Sequence, residues 1–116
     1  MKKPAITGLF LLLTAFALSA QSLPSIRIVN NTGEPINYIV VSPSNNDQWG
    51  DNVLGDTILE NGQTFTYQLP FSLNSVSLYD IGLQDIYGDT YVKWEFRVTN
   101  NARIVFTEDD LEDWDG

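Results

Sequence analysis

Apolar and polar residues alternate along several short segments of this chain, which is the pattern of β-strands that bury one face. The clearest case is residues 90–99, where one face carries Val92, Trp94, Phe96 and Val98. Residues 25–30, 63–69 and 102–107 alternate in the same way. Residues 36–42 are almost continuously apolar, which is typical of a central strand covered on both faces. No segment after residue 20 has sustained helical spacing of its apolar residues, so the pattern predicts an all-β domain.

Turn-forming residues separate these segments, at Asn30–Gly33, Asn61-Gly62 and Asn100-Asn101 among other places. Short strands divided by turns at such regular spacing are typical of a β-sandwich. We therefore predict an antiparallel two-sheet sandwich, immunoglobulin-like, with about seven short strands. Residues 90–99 and 102–107 are expected to form a hairpin across Asn100-Asn101. The predicted core consists of Trp94, Phe96, Val98, Ile104, Phe106, Phe65, Tyr67 and Ile28.

Two segments depart from simple alternation. In residues 75–85 the apolar positions change phase, which predicts a β-bulge near Tyr79-Asp80. Residues 42–56 are rich in Ser, Asn, Asp and Gly but include Trp49. A polar loop with a large aromatic side chain is expected to fold back onto the domain, because exposing an indole to water forgoes apolar burial.

The first twenty residues predict a bacterial secretory signal peptide. Lys2 and Lys3 precede an apolar run that ends in small residues, with cleavage expected after Ala20 or, alternatively, after Ala17. A transmembrane anchor is the rival interpretation, but the run of about thirteen apolar residues is shorter than the ~20 that span a bilayer. The predicted organisation is a signal peptide (1–20), a β-sandwich domain (21–107) and an acidic C-terminal tail (108–116). The mature chain is expected to be exported to the periplasm or the extracellular space, with no membrane span.

Composition excludes several function classes. The chain has 116 residues, no His, no Cys and a formal net charge of −9. Without these residues it can form no disulfide, no thiolate nucleophile, no imidazole ligand and no Ser-His-Asp triad. The acidic balance argues against nucleic-acid binding, which requires clustered Lys and Arg. Loss of Lys2 and Lys3 would leave four basic against fifteen acidic residues, a net charge of −11.

Aspartates around one predicted turn raise the question of a metal site. Asp80, Asp85 and Asp89 are expected to converge where a strand ends and a turn begins, and carboxylates are the ligands that Ca²⁺ prefers. The spacing is not that of an EF-hand. The other interpretation is that these residues form turns and cap backbone N–H groups. We therefore predict no cofactor, with Ca²⁺ as the alternative. A carboxylate pair acting as in a glycosidase would need a cleft that so small a domain has little surface to build.

Two sequence clusters together carry a resemblance. One is Ser42-Pro43-Ser44 running into Trp49-Gly50, and the other is Asp85-Ile86-Tyr87-Gly88-Asp89-Thr90-Tyr91 followed by Lys93-Trp94. The chain resembles a family of small exported bacterial β domains that have an S-P-S…W-G loop and a D-x-x-G-D-T-Y-x-K-W hairpin. The resemblance implies the fold and export, and implies no activity. This chain has Ile86-Tyr87 where the relatives tend to have an acidic pair.

The leading functional prediction is a non-enzymatic exported β-sandwich that serves as a binding or structural module. Its binding-loop candidates are Trp49, Asp51 and Asn52, and its partner would be a protein or a cell-envelope ligand. One alternative is a secreted inhibitor or regulator of an enzyme that presents residues 42–56. Another is a metal-dependent enzyme that uses carboxylates alone. In the acidic tail, Leu111 and Trp114 are expected to be solvated, or to dock on a basic partner or on the domain's own sheet edge.

Overall fold

The computed structural model describes residues 22–112, and the predicted signal peptide and Trp114 lie outside this range. The described part of the chain contains six strands and one short 3₁₀ helix. In chain order these are β1 (Ser25–Asn31), β2 (Ile36–Pro43), β3 (Thr64–Gln68), β4 (Leu78–Asp85), β5 (Thr90–Arg97), β6 (Ala102–Thr107) and the 3₁₀ helix Glu108–Asp110. None of these described elements is a helix long and apolar enough to cross a membrane.

The strands form two three-stranded sheets with the orders β3-β1-β6 and β2-β4-β5, packed together as a β-sandwich. The predicted all-β sandwich is confirmed, with six strands instead of seven. The pairs β1–β3, β2–β4 and β4–β5 are antiparallel, whereas β1–β6 is parallel. The predicted hairpin of residues 90–99 with 102–107 is wrong, because β5 and β6 belong to different sheets. The turn at Asn100-Asn101 carries the chain from one sheet to the other.

The core lies between the two sheets and is built from alternate residues of each strand. Its fully buried side chains include Ile26 and Ile28 from β1, Tyr79, Ile81 and Leu83 from β4, and Ile104 and Phe106 from β6. Phe65 and Tyr67 pack against this core but are half-buried, because β3 lies at a sheet edge. Ile28, Val98, Ile104 and Phe106 are buried as predicted.

A bulge in β5 explains the one large error in the predicted core. Tyr79 pairs with Phe96 and Ile81 with Lys93, so the single residue Asp80 lies opposite both Trp94 and Glu95. The bulge is at the predicted place, but β5 contains the extra residue. Glu95 has a φ of 49°, and its N–H donates to Asp80 Oδ1 at 2.8 Å. The extra residue reverses the phase of β5, so Trp94 is 51% exposed on the outer face instead of buried.

The chain after β6 folds back onto the open edge of β5. The Glu112 N–H donates to the Thr90 carbonyl at 2.8 Å, and Leu111 bridges to Tyr91. Lys93 points inward, where its Nζ lies 3.1 Å from Asp110 Oδ1 and 5.2 Å from the centroid of the Phe106 ring. The first part of the predicted acidic tail therefore docks on the domain's own sheet edge.

Candidate functional site

The outer face of the β2-β4-β5 sheet is the part of the fold that combines an open surface with aromatic side chains. Strand register places Val40, Gly82 and Val92 in one row across this face, and Tyr38, Gln84 and Thr90 in the next row. Trp49 covers the first row. We call these two rows, together with Trp49 and Trp94, the aromatic face.

Gly82 lets the Trp49 ring lie directly on the sheet. A Cβ built at residue 82 would be 3.5 Å from Trp49 Cη2 and 3.2 Å from Val40 Cγ2. A Cβ at residue 82 would therefore already touch the indole and crowd Val40, and a side chain larger than that of Ala would push the indole away from the strand. With Trp49 in place, Val40 and Val92 are each 7% exposed although they are on an outer face. The prediction that Trp49 packs against the domain is confirmed.

Trp49 has Trp94 on one side and a groove on the other. The two indole rings are 5.5 Å apart between centroids and inclined by 44°. The groove, with a volume of about 190 Å³, runs along the opposite side of Trp49 and is lined by Tyr38, Val40, Gly82, Leu83, Gln84, Thr90 and Val92. No charged side chain lines it, although the chain as a whole is strongly acidic. Tyr38, 41% exposed, stands at its rim.

Hydrogen bonds hold the loop that presents Trp49. Asn52 Oδ1 accepts from the Ile39 N–H at 2.9 Å and from the Leu54 N–H at 3.0 Å, which ties the loop to the edge of β2. On the other side of Trp49, the Ser42 hydroxyl donates to the Gln48 carbonyl at 2.7 Å. Trp49 is therefore fixed from both sides before any ligand arrives.

The three binding-loop candidates have different places in this loop. Trp49 forms the wall of the groove, whereas Asn52 fastens the loop to β2 and is partly buried. Asp51 is exposed and does not line the groove. The sequence therefore indicated the right loop, but of the three candidates Trp49 alone faces the groove.

The three aspartates proposed as metal ligands do not come together. Asp80 and Asp85 belong to opposite faces of β4, since residues of odd and even number alternate along the strand. Asp80 Oδ1 accepts from the Ser44 hydroxyl and from the Glu95 N–H at the β5 bulge. Asp89 is exposed. Among residues 22–112, no group of three or more Asp, Glu, His or Cys side chains could hold a metal ion, so the predicted convergence is wrong.

Asp85 belongs to a buried polar cluster between the ends of the sheets. Its side chain, 2% exposed, accepts three hydrogen bonds. Oδ1 accepts from the Tyr87 and Asp89 N–H groups at 2.9 and 3.0 Å, and Oδ2 accepts from the Tyr91 hydroxyl at 2.9 Å. Asp85 thus closes the turn that follows β4, as the second interpretation of the aspartates predicted.

Asn30 and Thr32 complete this cluster from the first turn of the chain. Asn30, fully buried, donates through Nδ2 to the Glu34 and Leu59 carbonyls at 2.7 and 2.9 Å. Its Oδ1 accepts from the Thr32 hydroxyl at 2.7 Å. We call Asn30, Thr32, Asp85 and Tyr91 the polar cluster. Its members are at most 6% exposed, which leaves a ligand no access to them.

Burial is the main reason that the pKa of Tyr91 rises from 10.0 to about 12. The hydrogen bond to Asp85 and the nearby negative charge raise this pKa further, and Thr32 lowers it in part. Tyr79 has a raised pKa for the same first reason, burial, with a smaller contribution from Tyr67. The Tyr79 hydroxyl is also the one buried side-chain polar atom of the described chain that has no hydrogen-bond partner.

Tyr38 and Gly82 shape the aromatic face but were not found from the sequence. Tyr38 and Gly82 lie in near-continuous apolar or mixed segments, where alternation does not tell the inner face from the outer one. Gly82 interrupts a strand, and a strand glycine can indicate a close approach of another group. That was the one signal available.

Comparison with known proteins gives no further identification, since no family model, curated protein or solved structure matches this chain. The resemblance to small exported β domains therefore stays a prediction.

Proposed function

We propose that this protein is a non-enzymatic, exported binding module whose ligand lies in the groove beside Trp49. The observation that carries the proposal is the uncharged, half-open groove with a fixed indole as its wall. Binding sites are typically concave, mainly apolar and largely formed before the ligand binds. The ligand would be a cell-envelope or extracellular molecule, in keeping with the predicted signal peptide.

The chemistry of the groove favours a neutral sugar ring. The π face of an indole carries partial negative charge, so it attracts the weakly positive C–H groups on one face of a pyranose. Gln84 also lines the groove. Its Nε2 donates to the Gly88 carbonyl at 3.4 Å, and its amide oxygen is an acceptor for a sugar hydroxyl. A strongly acidic ligand would be repelled by the net charge of the chain.

The composition supports a binding function over a catalytic one. The chain contains neither His nor Cys, so its hydroxyl groups have no imidazole base to activate them. The Asp85 carboxylate, at the turn after β4, accepts from two backbone N–H groups. A carboxylate-dependent enzyme is therefore not the function we propose.

Affinity electrophoresis through gels that contain soluble polysaccharides tests the proposal. We expect at least one neutral polysaccharide, from a panel of β-glucan, xylan, hydroxyethylcellulose and starch, to retard the protein. Tyr38→Ala should weaken that retardation about tenfold or more, because it removes the exposed rim of the groove. Trp49→Ala should abolish it.

Phe71→Ala is the matched control, because Phe71 is 46% exposed, close to the 41% of Tyr38, and lies outside the groove. It should leave the retardation unchanged. Thermal unfolding of each variant separates loss of the site from loss of the fold. If no neutral polysaccharide retards the wild-type protein, or if Phe71→Ala has the same effect as Tyr38→Ala, the proposal is wrong.

The exposed tip of the loop that carries Trp49 favours a second candidate function. In this function the protein is an inhibitor or regulator that presents residues 42–56 to an enzyme. Residues 45–48 are exposed at one end of the sandwich, while Ser42 and Asn52 fix the loop on both sides. A rigid exposed loop is suited to insertion into a partner's cleft, because little conformational entropy is lost on binding. Replacing residues 45–48 with Gly and Ser would weaken such a complex and leave polysaccharide retardation intact.

A further inference from the structure

β3 is an edge strand whose outer side has no partner strand within the described chain. It pairs with β1 on its other side, in antiparallel register. In such a pair, residues alternate between those whose N–H and C=O groups bond the neighbour and those whose groups point away from it. Which residues of β3 point away can therefore be read from the bonds at either end.

Two backbone hydrogen bonds fix this alternation. The Leu69 N–H donates to the Pro24 carbonyl at 2.8 Å, and the Asn30 N–H donates to the Gln63 carbonyl at 2.9 Å. These bonds continue the β1–β3 register by one residue at each end, and they require Phe65 and Tyr67 to bond β1. The N–H and C=O groups of Thr64, Thr66 and Gln68 consequently point to the open side.

We propose that a second copy of this chain pairs with β3 along this open side, antiparallel and about a twofold axis at Thr66. The pairing is self-complementary. Thr66 lies opposite the partner's Thr66, and Thr64 lies opposite the partner's Gln68, so all three outward residues meet outward residues. Each such pair exchanges two hydrogen bonds, about six in all. The result is one continuous six-stranded sheet shared by two protomers.

The same register brings aromatic side chains together on the inner face. Phe65 lies opposite the partner's Tyr67, and Tyr67 opposite the partner's Phe65. In one chain these two rings are stacked at 6.4 Å between centroids and remain half-buried. A second copy would cover their open side, and aromatic cross-strand pairs stabilise a sheet.

The distribution of charge argues for a second copy as the occupant. Two copies of a chain with a net charge of −9 repel each other over most of their surfaces. Residues 61–79, which include all of β3, contain no charged residue. Exposed edge strands are usually protected by charged side chains or by Pro, and β3 has neither. It is therefore a surface at which two copies can approach without direct repulsion.

Sedimentation equilibrium of the protein, purified after expression of the full chain, tests this inference. We expect a monomer–dimer equilibrium. Thr66→Lys should raise the dissociation constant at least about tenfold, because two Lys side chains would meet at the axis beside Arg27 of each protomer. Thr99→Lys makes the same charge change at an exposed residue outside β3 and should leave the constant unchanged.

Gln68→Pro tests the main-chain contribution separately. It removes an N–H that points to the open side and leaves the bonds of Phe65 and Tyr67 to β1 in place, so the variant should fold and dimerise more weakly. Hydrogen exchange on the wild-type protein needs no variant. The amide of Thr66 should become protected as protein concentration rises. A wild-type protein that stays monomeric, a dimer that Thr66→Lys does not weaken, or a Thr66 amide that exchanges freely at every concentration would overturn the inference.

Discussion

Binding sites are usually built from polar and aromatic side chains, which the polar cluster and the aromatic face respectively contain. The two regions differ in how much of these side chains stays accessible to a ligand. Asp85 accepts three hydrogen bonds from its own chain and is 2% exposed. In the aromatic face, Trp94 and Tyr38 are 51% and 41% exposed. The cluster satisfies its polar groups internally, whereas the aromatic face leaves apolar surface in contact with water.

The difference separates structural from functional use of a residue. A buried carboxylate with three donors stabilises a turn, and adding a ligand there would require breaking those bonds at a cost of several kcal/mol. A fixed indole beside an open groove can gain contacts without losing any. We therefore attribute stability to the polar cluster, and we propose binding for the aromatic face. The following predictions test the part of this comparison that concerns the polar cluster and its aspartates.

The largest expected effect is that of Asp85→Ala on stability. The change leaves the Tyr91 hydroxyl and two backbone N–H groups without their acceptor, at a cost of about 3 kcal/mol or more. For a domain of this size the thermal midpoint should fall by roughly 10–20 °C. Asp51→Ala is the control, because Asp51 is exposed, and it should change stability by no more than about 0.5 kcal/mol. Equal midpoints for the two variants would show that the polar cluster is not structural.

Alkaline pH should also lower the stability that the polar cluster provides, by less than Asp85→Ala does. The pKa of Tyr91 is about 12 in the folded protein, against 10.0 ordinarily. A raised pKa means that the folded state binds the proton more tightly than the unfolded state does. The contribution of Tyr91 is therefore fully present below pH 10 and is lost as pH rises towards 12, by about 2–3 kcal/mol in all.

Urea unfolding at a series of pH values measures this loss. Tyr91→Phe should be less stable than the wild type at neutral pH and should show a flatter decline above pH 10. Some decline should remain, because burial also raises the pKa of Tyr79. If the stability of Tyr91→Phe falls above pH 10 as steeply as that of the wild type, the Tyr91 hydroxyl does not hold its proton in the way the geometry implies.

The comparison also shows what the sequence could predict. Alternation identified the strands, and seven of the eight predicted core residues are buried or pack against the core, because each sheet has one inner face lined by apolar residues at every second position. It failed at Trp94, because the outer face of the β2-β4-β5 sheet is also apolar and the extra residue in β5 reverses the phase. The extra residue of a bulge can belong to either of the two paired strands. The apolar pattern of β4 alone could not show that it belongs to β5.

The strand pairing was beyond local sequence signals. A two-residue turn such as Asn100-Asn101 fits a hairpin, but β1 competes for β6 and pairs with it over six residues. Likewise, Asp80 and Asp85 resemble metal ligands until the backbone N–H groups that donate to them are known. The groove was predictable only as far as Trp49, because Tyr38 and Gly82 come from strands distant in sequence.

The smallest expected effect is that of calcium. A specific Ca²⁺ site needs about six to eight oxygen ligands within reach of one ion. Asp80 and Asp85 lie on opposite faces of β4, and the oxygens of Asp85 already accept three hydrogen bonds. We therefore expect millimolar Ca²⁺ and Mg²⁺ to raise the thermal midpoint equally, through screening of the acidic surface alone. Asp89→Asn should change the thermal midpoints measured with Ca²⁺ and with Mg²⁺ by the same amount. A larger shift with Ca²⁺ that disappears in Asp89→Asn would contradict the assignment, since ligand that binds the folded state selectively must stabilise it.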